Sequence, residues 1–314
     1  MTDTAVGVIG LGKMGGTLAE RLVGDGHPVY GYDLDGAAVE AAADGGVVPA
    51  DSIEALVAEV EIVLTSLPDP DAVRAVYLGD GGIVEAAAPG LIALETSTID
   101  PETTRAVDEV AAEAGVSVLD APVSGGIARA QQGTLIVMVG GDRSVFEDDR
   151  VRAVIDAFGE DIVYGGGIGA GHTLKLLNNM ISGATAAAAL EGATLAAEVG
   201  VDWEAFLDVV GTSSGSSYGF RKQVPRALNR DFEATFTLDM GLKDTRLASE
   251  MADAVDFPTP MADAMERIRT AGVKRGYGDE GSGAIVKVFE EFADARVEHP
   301  EGIDEDYLSW AKKE

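Results

Sequence analysis

Between Lys13 and Lys222 the chain carries one lysine, Lys175, in "GIGAGHTLKLLNNM" (167–180). Its neighbours are apolar or small, and Asn179 follows four residues later, on the same face of a helix. Nothing about solubility requires an amine there. One reading is a stem lying along apolar surface with its head in water; the other is chemistry. A second set of residues is "GLGKMG", with Gly10, Gly12 and Gly15 in G-x-G-x-x-G spacing and Leu11, Lys13 and Met14 between them. It follows a β-branched run, "AVGVIG", and opens a helix-like one, the context that gives the pattern weight. Gly10 permits a tight turn, Gly12 lets backbone approach a pyrophosphate, and Gly15 permits close helix–strand packing. The helix N-terminus then faces phosphate charge. Asp33 ends the next strand-like run, near the ~20-residue offset of the acid that holds adenosine ribose hydroxyls. A carboxylate there repels a 2′-phosphate, so NAD is expected in preference to NADP. Asp33 could instead cap the following helix, a role for which Asp35 is the rival.

Elements must position these groups. Strand-like runs occur at 5–10, 28–33, 60–68, 90–97, 116–122, 134–141 and 161–166. Helix-like segments fall between them, at 51–58, 70–78, 101–114 and 144–158 among others. The strands are nearly continuous apolar runs, the pattern of a parallel sheet covered on both faces. Beyond about residue 168 every segment reads helical, beginning with one long small-residue-rich stretch. The expectation is an α/β domain over 1–166 and a helical domain over 167–294 that starts with the long helix. An acidic tail, 295–314, is expected to pack loosely and is given no role.

Composition narrows the classes. In 314 residues, 54 acidic against 23 basic side chains leave a net charge of −31. Such a surface repels nucleic acid and anionic membranes. No uninterrupted apolar run is long enough to read as a membrane span, and the N-terminus lacks the basic region of a signal peptide. Zero cysteines exclude thiolate ligands, and three scattered histidines make no zinc set. The expectation is a cytoplasmic protein without a metal site. The acids are spread along the chain, as on a surface adapted to a very salty cytosol; an acidic interaction protein is the competing reading.

The order of several longer stretches resembles the β-hydroxyacid dehydrogenase family, nearest in motif to 3-hydroxyisobutyrate dehydrogenases and tartronate semialdehyde reductases. They are "GVIGLGKMG", "LTSLPD", "ETSTIDP", "DAPVSGGIARAQQGTLIVMVGG" and "GHTLKLLNN", with a weaker "FTLDMGLKD". The resemblance implies a Rossmann-like doubly wound sheet, a long interdomain helix and an all-α C-terminal domain. It implies that Leu67 and Pro68 pack beside the nicotinamide end of the cofactor and that Thr98 contacts its ribose or amide. Ser124, Gly125 and Gly126 would hold the substrate carboxylate, and Asn179 would bind substrate or fix the amine. It makes Lys175 the general acid–base group and brings Lys243 toward cofactor and substrate. Lys243 could equally pair with Asp239 or Asp244 on a helix surface, Phe236 either lines the pocket or packs in a core, and His172 is a first-turn residue rather than a second base. Ala72 stands where relatives often carry a polar residue. The implied activity is hydride transfer between NAD and a small β-hydroxy acid such as 3-hydroxyisobutyrate, in a homodimer or homotetramer. Tartronate semialdehyde reduction is the alternative substrate reading, and a non-catalytic nucleotide-binding protein or an acidic scaffold the alternatives of class. Retention of Lys175 disfavours the related imine reductases. "SGG" together with Asp33 disfavours the NADPH-linked glyoxylate and succinic semialdehyde reductases, and the short helical part disfavours the common 6-phosphogluconate dehydrogenases.

Overall fold

The computed structural model describes residues 4–234 and 236–303. The chain divides into two compact units, Met1–Leu176 and Leu177–Glu314.

The first unit is a mixed, mostly parallel sheet between helices. Its strands are β1 (Val6–Ile9), β2 (Val29–Tyr32), β3 (Val48–Pro49), β4 (Ile62–Thr65), β5 (Ile92–Glu95), β6 (Ser117–Asp120), β7 (Val123–Ser124), β8 (Leu135–Gly141) and β9 (Gly159–Gly166). The order is β3-β2-β1-β4-β5-β6-β8-β7, with β9 on β8. Strands β1 to β6 pair in parallel. Every residue of β1, β4 and β5 is buried, as expected of strands covered on both sides. Val6, Val8, Ile62, Leu64 and the α1 side chains Leu18 and Leu22 share one core cluster; α1 spans Lys13–Gly24. Ile9 and Val63 point into the other cluster, with Leu56, Val73, Tyr77 and Val107. Leu22 is fully buried, so truncation to alanine costs about 2–5 kcal/mol.

The remaining helices of this unit are α2 (Gly36–Asp44), α3 (Ile53–Val57), α4 (Pro70–Leu78), α5 (Ile83–Ala86), α6 (Pro101–Glu113), α7 (Gly126–Gln132), α8 (Arg143–Phe146) and α9 (Asp149–Asp156). An acid-rich chain has many N-caps to offer: Asp35, Asp69, Asp100, Asp142 and Asp148 each accept a backbone N–H at a helix start. Each such cap contributes roughly 1 kcal/mol. One of them breaks an expected element. The single helix read over 144–158 is two, because Asp148 caps a new start by accepting from Arg150 N. The sheet is parallel from β1 to β6, as expected, and turns antiparallel only where β8 meets β6 and β7. Only residues 125–134 link β7 to β8, fewer than the dozen or so that a parallel crossover needs.

The unit boundary falls within one continuous helix, α10 (Ala170–Val199). By length and composition alone α10 would pass as a membrane span; it buries Leu190 and Ala193 in the helical core of the second unit. That core also takes residues from α11 (Trp203–Thr212), α12 (Tyr218–Leu228), α13 (Leu238–Asp253), α14 (Pro260–Lys274) and α15 (Val286–Glu290). Among its described residues, strand pairing is limited to one isolated bridge, Thr237 to Gly281.

Residues 295–303 correct the expectation of a loose tail. Val297 is fully buried in the helical core, and its N–H donates to Glu290 Oε1. His299 N donates to Leu228 O, Trp203 Nε1 to Glu298 O, and Asn229 exchanges two hydrogen bonds with the backbone of Ile303. The rest of the expected tail, 304–314, lies outside the described residues.

Candidate active site

In the first unit, β1 lies between β2 and β4, so successive crossovers leave it in opposite directions. At such a reversal the loops following the two strands diverge and open a crevice at the strands' carboxyl ends. The loop after β1 is the glycine motif. Gly10 has φ +87°, and a Cβ there would lie 2.3 Å from Ser66 O in the loop after β4. A Cβ on Gly15 would lie 1.9 Å from Gly10 O, whereas one on Gly12 would meet nothing within 4 Å. The open face of Gly12 leads onto α1, which has neither a side-chain cap nor an acid in its first turn. No capping side chain therefore competes for its leading amides, an arrangement that suits a pyrophosphate. Lys13 is exposed, Met14 is half-buried against the core, and Leu11 is buried.

Asp33 lies directly beside this loop. Its Oδ2 accepts from Leu11 N at 2.6 Å, and its Oδ1 from Asp35 N at 2.8 Å. The cap of α2 is Asp35, through Ala37 N at 3.0 Å, so the capping alternative for Asp33 falls away. The open Gly12 face, the uncapped start of α1 and the Asp33 carboxylate fit a dinucleotide.

The next two loops are tied together. Leu67 N donates to Ser97 Oγ at 2.7 Å; Pro68 is exposed and Thr98 half-buried. Beneath them, at the last residue of β5, sits Glu95, 1% exposed. It accepts from Thr65 Oγ1 and from Ser97 N, each at 2.6 Å, and Thr65 Oγ1 lies 3.0 Å from Tyr77 OH. Burial pushes the Glu95 carboxyl up to about 7; the Ser97 and Thr65 hydrogen bonds oppose this and the charge of Asp120 adds to it. Burial also raises the Tyr77 phenol well above its ordinary value, and Glu95 adds to that rise. Asp120, the last residue of β6, is fully buried and accepts from Gly169 N at 2.7 Å and His172 N at 2.9 Å. It thereby caps the start of α10. Sequence reasoning passes over Glu95 and Asp120. The available signal is their position: a carboxylate ending a strand buried on both faces has no solvent side and must be met by donors.

Ser124 ends β7, half-buried, and is followed by Gly125 at φ +135° and Gly126 at φ +73°. A Cβ on Gly125 would lie 2.9 Å from the Arg129 side chain, so the turn accepts glycine alone there. Both glycines are exposed, and α7 begins without a side-chain cap. Lys175 stands half-buried in the second turn of α10. His172, one turn earlier, is fully buried between Thr104 Oγ1 at 2.7 Å and Ser97 O at 3.0 Å, which fits a structural role rather than that of a second base.

In the second unit Asn179 and Lys243 meet at one residue that sequence reasoning places on a helix surface. Asp244 is 3% exposed. Its Oδ2 accepts from Asn179 Nδ2 at 2.8 Å, and its Oδ1 lies 3.4 Å from Lys243 Nζ. Asp239, the other expected partner, packs against Gly278. Arg269 reaches from α14 into the same region, where its Nη1 donates to Gly241 O and to Thr245 Oγ1. Burial lowers its guanidinium to about 10, opposed by the charge of Asp244. Phe236 is 39% exposed, so it is not a core residue.

A glycine loop of this shape, at a strand-order reversal and with an acid against it, defines a dinucleotide-binding domain. Comparison with known proteins narrows the class. Residues 5–166 match the family described as the NAD binding domain of 6-phosphogluconate dehydrogenase, and 169–289 the family described as NAD-binding of NADP-dependent 3-hydroxyisobutyrate dehydrogenase. The 2-(hydroxymethyl)glutarate dehydrogenase of Eubacterium barkeri is 34% identical, over 93% of this chain and 97% of its own length. The 3-hydroxyisobutyrate dehydrogenase of Pseudomonas aeruginosa is 36% identical over 83% and 89%. The structure of Mycobacterium tuberculosis 3-hydroxyisobutyrate dehydrogenase with L-serine superposes with a TM-score of 0.85 at 32% identity, covering 91% of this chain and 99% of that one. The chain belongs to the β-hydroxyacid dehydrogenase family, oxidoreductases that act on CH–OH donors.

Proposed function

We propose that this protein is an NAD-dependent dehydrogenase of a small β-hydroxy acid of the 3-hydroxyisobutyrate kind, with Lys175 as its general acid–base. The observation that carries the reading is the glycine loop: an open Gly12 face above the uncapped start of α1, with Asp33 bonded to that loop. A carboxylate so held accepts ribose hydroxyls and repels a 2′-phosphate, which supports NAD over NADP. The dinucleotide, when bound, supplies the hydride acceptor or donor.

The chain's own groups manage the substrate and the proton. Ser124 Oγ and the backbone N–H groups of Gly125 and Gly126 hold the substrate carboxylate, small residues leaving those amides uncovered. The neutral Lys175 amine removes the hydroxyl proton during oxidation, and its ammonium returns a proton to the aldehyde oxygen during reduction. Arginine cannot serve both directions, because its guanidinium does not give up its proton in working conditions. Asn179, one turn along α10, holds the substrate or the amine, and its side-chain amide is itself oriented by Asp244. Relatives of this chain are named for substrates of several sizes, so the β-hydroxy acid is assigned here as a class.

Lys175→Ala should lower kcat by at least about a hundredfold, as expected for loss of a proton-transfer group, while NAD affinity stays within about twofold. A panel of small β-hydroxy acids and semialdehydes, followed by nicotinamide absorbance, provides the measurement. Wild-type turnover in Lys175→Ala would remove the assignment.

A further inference from the structure

A buried polar chain runs beneath the carboxyl edge of the sheet, and the proposed catalytic roles leave most of it unused. Glu95 accepts from Ser97 N. The Ser97 hydroxyl accepts from Leu67 N, which brings together the two loops carrying Leu67, Pro68 and Thr98. The Ser97 carbonyl lies 3.0 Å from His172 Nε2. A carbonyl can only accept, so Nε2 carries the proton, and the ring bonds on its other side to Thr104 on α6 at 2.7 Å. The His172 backbone N–H, in turn, is held by Asp120. Space is as tight as the bonding: a Cβ on Gly171 would stand 2.3 Å from Met138 O and 2.8 Å from Asp120 O. The first turn of α10 is thus pressed against β6 and β8 and bolted to the loop after β5. Lys175 lies three residues further along the same rigid helix.

We infer that Ser97 and His172 are positioning residues: through one carbonyl and one ring they lock the helix that carries Lys175 to the paired loops that carry Leu67 and Thr98. The consequence is that proton-transfer group and hydride site are not set by independent elements. A shift of the first turn of α10 is transmitted to Leu67 through a single residue, Ser97. Glu95 and Asp120 anchor the two ends of the lock, each as the last residue of its strand. This inference rests on the proposed role of Lys175 for its catalytic meaning, but its structural content can be measured without turnover.

The experiment compares His172→Leu, His172→Gln and Ser97→Ala in the full-length protein. Glutamine keeps an N–H donor for Ser97 O; leucine keeps bulk and loses the donor. Amide hydrogen exchange at Leu67 gives the readout that does not depend on activity. His172→Leu and Ser97→Ala should each speed exchange at Leu67 by at least tenfold, and His172→Gln should restore it. In the same proteins kcat should fall on the order of tenfold to a hundredfold, the loss that a misplacement of about 1 Å produces, with the KM for substrate changing less than kcat. Should His172→Leu fail to fold, Thr104→Val, which removes the hydroxyl on the other side of the ring, carries the same comparison, since Ser97→Ala takes the acceptor from Leu67 directly and tests that half of the lock alone. Unaltered Leu67 exchange in a folded variant overturns the lock, whatever Lys175→Ala does. Conversely, an active Lys175→Ala with accelerated Leu67 exchange in the other variants overturns the proposed acid–base role and leaves the lock standing.

Discussion

Asp33 holds two backbone amides with one carboxylate, at Leu11 and Asp35, and so it shapes the glycine loop as well as charging it. Substitution by alanine would confound these effects, because Leu11 N would lose its acceptor inside a half-buried turn. Asp33→Asn comes nearer to separating them: its one amide oxygen still accepts from Leu11 N, the bond lost is the exposed one to Asp35 N, and the charge that repels a 2′-phosphate is gone. The expected result is a rise of about tenfold in the ratio of kcat/KM with NADP to kcat/KM with NAD, or about 1.4 kcal/mol of changed discrimination. An unchanged ratio would refute the ribose assignment. The glycine spacing and Asp33 are readable in sequence because backbone geometry dictates residue type there: only glycine clears Ser66 O and Gly10 O at those separations. Asp244 is not, since its neighbours Lys243 and Asp239 look like any exposed helical charges until tertiary packing buries one of the three.

At the level of elements, the buried carboxyl that ends β5 gives stability a pH dependence of unusual sign. Glu95 is held up near 7 by burial, against about 4.5 for the free side chain. Below 4.5 it is protonated in folded and unfolded chains alike. Between 4.5 and 7 the unfolded chain ionises first, so the unfolded state binds fewer protons and stability falls as pH rises. Above 7 the full difference is present, on the order of 3 kcal/mol. Glu95→Gln keeps both hydrogen bonds, with its oxygen toward Ser97 N and its amide toward Thr65 Oγ1, whose own hydrogen can turn to Tyr77. The variant should therefore match wild type in thermal midpoint near pH 4.5 and exceed it near pH 8, as calorimetry would detect; an equal midpoint at both pH values would refute the assignment. Strands and helices of this unit are legible because strands buried on both faces are mostly apolar and six of the nine helices α1 to α9 begin at Asp or Ser. What escapes sequence reasoning turns on local competition. Asp148 starts a second helix where periodicity alone suggests one, a short connector turns β8 antiparallel, and Val297 and Trp203 draw an acidic segment onto the helical core.

Across the whole molecule the governing number is −31. Such a charge works against the compact state through self-repulsion, and the fold offsets part of it locally. Asp residues accept amides at helix starts in both units, as at Asp35, Asp100 and Asp202. Arginines bridge acids, as where Arg150 spans Glu61 and Asp148 and Arg275 meets Glu291. Exposed pairs of this kind contribute at most about 1 kcal/mol each and leave most of the acidic excess to solvent ions. With a screening length of about 10 Å at 0.1 M salt, neighbouring surface carboxylates still repel, whereas near 1 M it falls to about 3 Å and the repulsion is confined to direct contacts. The thermal midpoint should accordingly rise steadily with potassium chloride between these concentrations and fall when salt is withdrawn. Turnover per folded molecule should change less, because the proposed acid–base lysine and its positioning network are buried or half-buried. A midpoint that is independent of salt would show that the acidic surface is solvated without cost, and that adaptation to a salty cytosol is the wrong account of it.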